Sequence, residues 1–460
     1  MRQRTWGRRL LGLSRTGGLI AIQHGPRHGK TLGLPLIRRF LDPGSIGSPQ
    51  LIAAGLLFVY LLQAAWLIHL ETARGSLPDS NHELCVYDGL EQWKGGAIAG
   101  TPEALHSEAA TGLPSAARAG HLRVSDGYDQ DRSPLNYLTC AAPYLVRPSF
   151  LRDESSLGQL WAATPYLFFG VMLGGSLWYV TRRLYGNTGG YIALALYCFS
   201  PGMIAGGTIT GGMPAGVAGA PNLGEMGAVW GAFGTVFTAI AVAHTLYAPR
   251  EVILWNSRRI LLLGLSFALV AGNQFSLSLM ILVALLLMFW VAPVRPKAVI
   301  VIWSTAVAVG AVLVFAAYFF RPALLWQSFL HGRWLDIAPR AFAMSASYLH
   351  TLKAIAVGSP ALMLALPVAL IAYFAWKRTR YFGNTAPLAI AALLFVLALA
   401  SPDFPGQGFH LGLLVFLFVF VAGVLADLIE TRQRLLVTAA VFGLLSAAAL
   451  RNLLQLAFLR

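Results

Sequence analysis

Apolar residues run through this chain in long, nearly unbroken blocks, without the three-and-four spacing of a soluble helical fold. Blocks of about 20 residues are long enough to cross the roughly 30 Å hydrocarbon layer as helices. They fall at residues 51–70, 157–180, 189–207, 225–247, 260–272, 275–291, 299–320, 354–376, 387–400, 411–428 and 435–454. The pattern predicts eleven transmembrane helices, the pair over 260–291 being short and interrupted at Gly272-Asn273-Gln274. A spanning backbone must close its hydrogen bonds within itself, and no barrel-like alternation is visible, so the expected class is all-α and polytopic. Three regions follow: a basic tail over 1–50, a transmembrane module over 51–320 that includes the polar loop 71–156, and a second transmembrane module over 321–460 with a loop at 321–353.

Composition agrees, with 57% hydrophobic and 12% charged residues. The net charge of +15 suggests nucleic acid until its distribution is considered. Arg and Lys cluster at the ends of the apolar runs, the pattern of cytoplasmic positive charge, so nucleic acid is excluded as a partner and membrane lipids are expected. With the N-terminus inside, the even-numbered runs end at Arg182-Arg183, Arg258-Arg259, Arg295/Lys297, Lys377-Arg378 and Arg432/Arg434. All five clusters then lie in the cytoplasm, and loops 71–156 and 321–353 lie on the opposite side. Residues 1–50 carry nine Arg or Lys and read as a tail on anionic headgroups. Gly25-Pro-Arg-His-Gly-Lys-Thr31 has three residues between its glycines where a phosphate loop needs four. No inverted repeat is visible, which weighs against a secondary transporter.

The loop 71–156 holds twelve of the nineteen carboxylates against seven Arg and Lys, giving it a formal charge of −5. Ser80-Asn-His-Glu83 opens an amphipathic stretch to Trp93. Two readings stand for it. Glu83 closes a capping box, or Glu83 or Asp79 lies at the lipid boundary as a general base taking a proton from an attacking hydroxyl or amine. The acids of Asp126-Gly-Tyr-Asp-Gln-Asp131 form either a solvated turn or oxygen ligands for a divalent cation; no metal ligands are assigned and no cofactor is certain. Residues 134–146 are too short to span and predict a helix at the interface. Cys85 and Cys140 share the loop, where a disulfide and two buried thiols are both open. Glu225, the sole acid between Glu154 and Glu251, opens an apolar run. It either balances a helix dipole or orients an acceptor or metal.

The order of several short motifs then becomes specific. An acid follows the first run, succeeded by Arg132-Ser-Pro-Leu-Asn-Tyr137, Thr181-Arg-Arg-Leu-Tyr-Gly186, Ser200-Pro201 and Pro221-Asn-Leu-Gly-Glu-Met226. Over residues 50–290 this order resembles the C-type (GT-C) membrane glycosyltransferases of the protein O-mannosyltransferase and aminoarabinose transferase kind. The sequence departs from that pattern at His82-Glu83, where adjacent Asp-Glu is usual, and at Ser133, where a proline is usual. The resemblance implies sugar transfer from a polyprenyl-phosphate donor to a protein, lipid or glycan acceptor outside the cytoplasm, in a bacterial plasma membrane. It places Glu83, Asp79 and Glu225 in catalysis and Arg132 and Tyr137 at the substrate. A phosphate leaving group calls for cations: Arg333 and Arg340 are the choices for the phosphate and Lys353 lies in the same basic loop, the alternative being headgroup anchors, while His410 is a further substrate-binding candidate that could close over the lipid. The other class of reading is a non-catalytic subunit or polyprenyl-lipid-binding protein on the same scaffold.

Overall fold

The computed structural model describes residues 48–73, 85–86, 89–90, 93, 134–148, 150–151, 155–206, 225–245, 252–331, 337–375, 381–401, 409–430 and 434–458. Among the described residues every regular element is helical. The longer helices are α1 (Ser48–Ala73), α2 (Pro134–Leu145), α3 (Ser156–Ala162), α4 (Thr164–Cys198), α5 (Pro201–Gly206), α6 (Glu225–Ala243), α7 (Val252–Asn273) and α8 (Leu279–Val291). They continue with α9 (Pro296–Ala317), α10 (Pro322–His331), α11 (Ser345–Gly358), α12 (Pro360–Ala375), α13 (Tyr381–Ala400), α14 (Phe409–Ile429) and α15 (Arg434–Phe458).

Among the described residues six helices (α1, α6, α9, α13, α14 and α15) are long and apolar enough to cross a membrane, and up to eight spans result if the bent pairs α3–α4 and α11–α12 each count as one. The chain is an integral membrane protein. Each of the eleven predicted runs overlaps a helix, but length and composition qualify six to eight spans rather than eleven. Local chemistry explains the difference. Asn256, Arg258 and Arg259 at one end of α7 and Asn273 at the other dilute its apolar stretch. Ser276–Val291 opens with a 3₁₀ turn and stays short. The runs 157–180 and 189–207 fall largely on the two arms of α4, which counts as one element although the chain turns at Gly186.

That element is broken at Gly186, whose φ of 79° and ψ of −176° suit a residue without a Cβ. The two arms fold back antiparallel. Tyr197 Oη donates to Gly170 O at 2.7 Å, Gly190 packs on Trp178, and Arg182 Nε donates to Asn187 Oδ1 at 2.7 Å. The Arg182–Gly186 motif is thus a hairpin turn.

Lipid tails are as apolar as leucine, so these helices associate through close packing and buried polar contacts. α14 is the bundle's centre, with 89% of its span buried and Phe416, Phe418 and Phe420 fully enclosed. α15 is peripheral, with 11% of its span buried. Two polar contacts tie α15 to α1: Asn452 Nδ2 donates to Gln63 Oε1 at 2.5 Å, and Trp66 Nε1 donates to Leu456 O at 3.3 Å. α6 lies against α7 along Gly227, Gly231 and Gly234, small residues that let the two helices approach closely. A Cβ on Gly231 meets the Val270 backbone nitrogen and Leu269 Cβ at 2.8 Å, so α6 and α7 must separate to admit it. Gly231→Ala is expected to destabilise the bundle by about 1–3 kcal/mol, read as a lower thermal midpoint in detergent.

Candidate active site

Among the described residues, the helices that carry Tyr137 (α2), Glu225 (α6) and His410 (α14) are linked through Gly272, Asn273 and Gly206 at one end of the bundle, here called the lobe end. α2 is the base of the polar loop. Its stripe of Asn136, Tyr137, Cys140, Ala141 and Pro143 is buried, as an interfacial helix docked on a bundle requires. Leu135 covers Gly272 at the end of α7, a Cβ at Gly272 falling 3.0 Å from that of Leu135. Trp161 Nε1 donates to Pro143 O at 2.8 Å, and the Tyr166 hydroxyl lies 2.8 Å from Cys140 Sγ.

The described residues that follow α1 are fastened to α2. Cys85 and Cys140 form a disulfide with Cα atoms 6.1 Å apart, which settles the choice left open by the sequence. Asn136 Nδ2 reaches Cys85 Sγ at 3.4 Å. Gly89 lies against the Tyr137 carbonyl, and Trp93 Nε1 donates to Leu138 O at 3.2 Å. Trp93 also meets Phe319 edge-on, with ring centroids 5.7 Å apart. Phe319 and Phe320 hold φ values of 52° and 56°, a conformation costing a non-glycine residue roughly 1–2 kcal/mol. The turn they make at the end of α9 presents Phe319 to the lobe.

α6 begins at Glu225, directly beside α2's support. Gly227 packs on Phe169 and Asn273, the latter next to Gly272 under Leu135. Met226 and Leu411 both close on Gly206, the last residue of α5. The N-termini of α6 and α14 are therefore neighbours, and each contributes the positive end of a helix dipole. His410, the second residue of α14, faces His350 of α11 with ring centroids 6.3 Å apart. The Ala338 N–H donates to Ala400 O at 2.7 Å, holding the segment before Pro339 at the end of α13.

These contacts bring together α2 with Tyr137, the start of α6 at Glu225, and His410. Tyr137 is buried; Arg340 and Lys353 are exposed on the 3₁₀ turn Pro339–Ala343 and on α11. Asp79, Glu83, Arg132 and Arg333 lie outside the described residues, as does the acidic run 126–131. Among the described residues no group of three or more His, Cys, Asp or Glu is placed to hold a metal ion.

The sequence reading passed over several lobe-end residues. Glu71 is buried at the end of α1, and its signal was a carboxylate in the last turn of an apolar helix. Asn136 is buried inside a motif read chiefly for its ends. Asn273 and Gln274 are buried polar residues at a break noted only as an interruption. His350 stands in no motif of the sequence, and only the fold pairs it with His410.

No protein-family model matches this chain, and no curated protein matches it in sequence. Among solved structures, the archaeal oligosaccharyltransferase AglB from Archaeoglobus fulgidus, in complex with an inhibitory peptide and a dolichol-phosphate, is similar over 89% of this chain, with 12% identity and a TM-score of 0.49. The chain spans about half of that protein's length, covering 55% of it. A likeness at that score and identity establishes neither an activity nor a substrate.

Proposed function

We propose that this chain is a membrane glycosyltransferase of the GT-C kind, moving a sugar from a polyprenyl-phosphate donor to an acceptor at the lobe end. The observation that supports it most is the convergence of α2, the α6 N-terminus and the α14 N-terminus, three elements that each carry a residue singled out in the sequence. In this reading Glu83 or Asp79 takes the proton of the acceptor hydroxyl or amine as its lone pair attacks the sugar's anomeric carbon. The bond from that carbon to the phosphate oxygen breaks, and polyprenyl phosphate leaves with the electron pair. Arg132, Arg333, Arg340 and Lys353 offset the charge gathering on the phosphate. Glu225 orients the acceptor, and Tyr137 shapes the floor of the site.

Two independent properties support the proposed side of the membrane. The basic clusters favour the far end of the bundle as cytoplasmic. A Cys85–Cys140 disulfide suits an oxidising compartment, which supports an outside position for the lobe end. Eleven crossings with the N-terminus inside remain the topology proposed here. A reporter fused within 94–130 is expected to be active only when exported; cytoplasmic activity there removes the reading.

The direct test supplies the full chain in proteoliposomes with polyprenyl-phosphate hexoses and pentoses and a mixture of peptide, glycolipid and glycan acceptors. Sugar-bearing product and stoichiometric polyprenyl phosphate are expected. The second reading, a lipid-binding protein without turnover, is favoured by His82 and Ser133 at positions where the resemblance expects an acid and a proline. Donor binding with no product from any acceptor selects it.

A further inference from the structure

We infer that the outward side of α15 docks a transmembrane helix of a different protein, one carrying an Asp or Glu near the middle of the membrane for Arg451 to pair with. The docking face lies on the periphery of the bundle and is independent of the transferase reading.

The depth of Arg451 comes from the neighbouring helix. Asn452 bonds Gln63 and Leu456 bonds Trp66, so residue numbers rise together and α15 runs parallel to α1. Arg451 therefore stands level with Gln63. The candidate span on α1 runs over Pro49–Ala73, and its middle falls at about residue 61. Gln63 lies only about 3 Å beyond that point at the helical rise. Going up α1, the next ionisable side chain is His69, about 9 Å further on. Arg451 is thus deep in the hydrocarbon layer. It is exposed, and it has no hydrogen bond or ion pair among the described residues. An ionised group at such depth is costly outside a polar cavity or an ion pair, so a partner for the guanidinium is expected.

The surface around Arg451 suits a helix better than acyl chains. Ala439, Gly443, Ala447, Arg451 and Gln455 follow one another at four-residue spacing and are all exposed. A Cβ on Gly443 meets nothing within 4 Å, so this side of α15 is uncovered. The outward side of α12 is different, with Leu364, Val368, Ile371 and Phe374, all large and apolar. Small side chains on α15 let a second backbone approach closely, and Arg451 and Gln455 then bond across the contact.

Charge selects the partner. A twofold pairing of this chain through α15 would set Arg451 against its own copy. Among the described carboxylates, Glu71 is buried in the last turn of α1, Glu225 opens α6, and Asp427 and Glu430 lie at the end of α14. None stands exposed at mid-span, so the acid belongs to another protein.

The experiment measures energy transfer in proteoliposomes between the labelled full chain and a labelled synthetic Leu-Ala helix of about 20 residues with one central Asp. That helix is expected to bind about tenfold more tightly than the same helix with Asn. Arg451→Leu should abolish the difference, and Arg451→Lys should keep most of it. Gly443→Leu, whose new side chain points into open space, should weaken the Asp helix about fivefold by blocking close approach. Thermal midpoints in detergent show whether each variant is folded. Equal binding of the Asp and Asn helices by the wild type overturns the docking site, and a guanidinium that snorkels to the headgroups gives this result. An undiminished Asp preference in a folded Arg451→Leu overturns it as well. Energy transfer between two labelled copies of the chain that Arg451→Leu abolishes makes the face a self-contact and overturns the assignment to a different protein.

Discussion

Glu83→Gln is expected to lower the rate of sugar transfer by about 10²- to 10⁴-fold, the range removed with a general base. Gln keeps the size and hydrogen-bonding reach of Glu but cannot accept the acceptor's proton, so the loss should fall on kcat with little change in KM for the donor. If Glu83 merely caps a helix, Gln serves nearly as well and the rate stays within a few-fold. Glu225→Gln should behave differently. A residue that orients the acceptor raises the acceptor's KM, by about tenfold for one charge-assisted hydrogen bond, and spares the donor's. Asp79→Asn is the control for the neighbouring carboxylate. Full transfer by both Glu83→Gln and Asp79→Asn would falsify the base assignment, and equal effects of Glu225→Gln on both substrates would remove its orienting role.

The sequence reached further for the membrane part than for the site, and the reason is physical. Hydrocarbon imposes one rule on every span, so runs such as 299–320 and 411–428 announce α9 and α14 directly. The rule says nothing about breaks. Gly186 inside α4 and Ser359 between α11 and α12 are bends of the chain that apolar counting blurs, and they decide how helices are grouped into spans. Candidate site residues obey no such periodic rule. Glu225 was legible because a carboxylate is rare beside an apolar run, and α2 because its length forbids a crossing. The pairing of His410 with His350 needed the fold, since sixty residues of chain and two further helices intervene. The same holds for Gly206, which became informative only as the place where α5, α6 and α14 touch.

Removing the disulfide is expected to have the second large effect, and it separates the lobe from the bundle. Cys85 and Cys140 are 55 residues apart in sequence, and closing a loop of that length stabilises the joined state by about 4 kcal/mol in the chain-entropy treatment. Beside the bridge, the described part of 85–93 is held to α2 by one indole hydrogen bond, a glycine contact and the packing of Val86 and Leu90 around Tyr137, and to the end of α9 by one aromatic edge. These contributions are together of the same order as the bridge, so its loss should release the segment while α4, α6 and α14 stay packed. Cys85→Ser, Cys140→Ser and the double variant should therefore be alike, because either single change removes the whole crosslink. Limited proteolysis should then cut within 74–133 at least tenfold faster, with the thermal midpoint of the transmembrane helices little altered. Alkylation supplies the covalent check. Unfolded without reductant, the wild type should expose one thiol, Cys198, and after reduction three. Glu83 precedes the crosslinked Cys85 by two residues, so transfer activity should fall with the bridge if that carboxylate works at the lobe end. Undiminished activity in a Cys85→Ser protein whose lobe is already cleaved would place the chemistry on the bundle alone, at the start of α6 and α14.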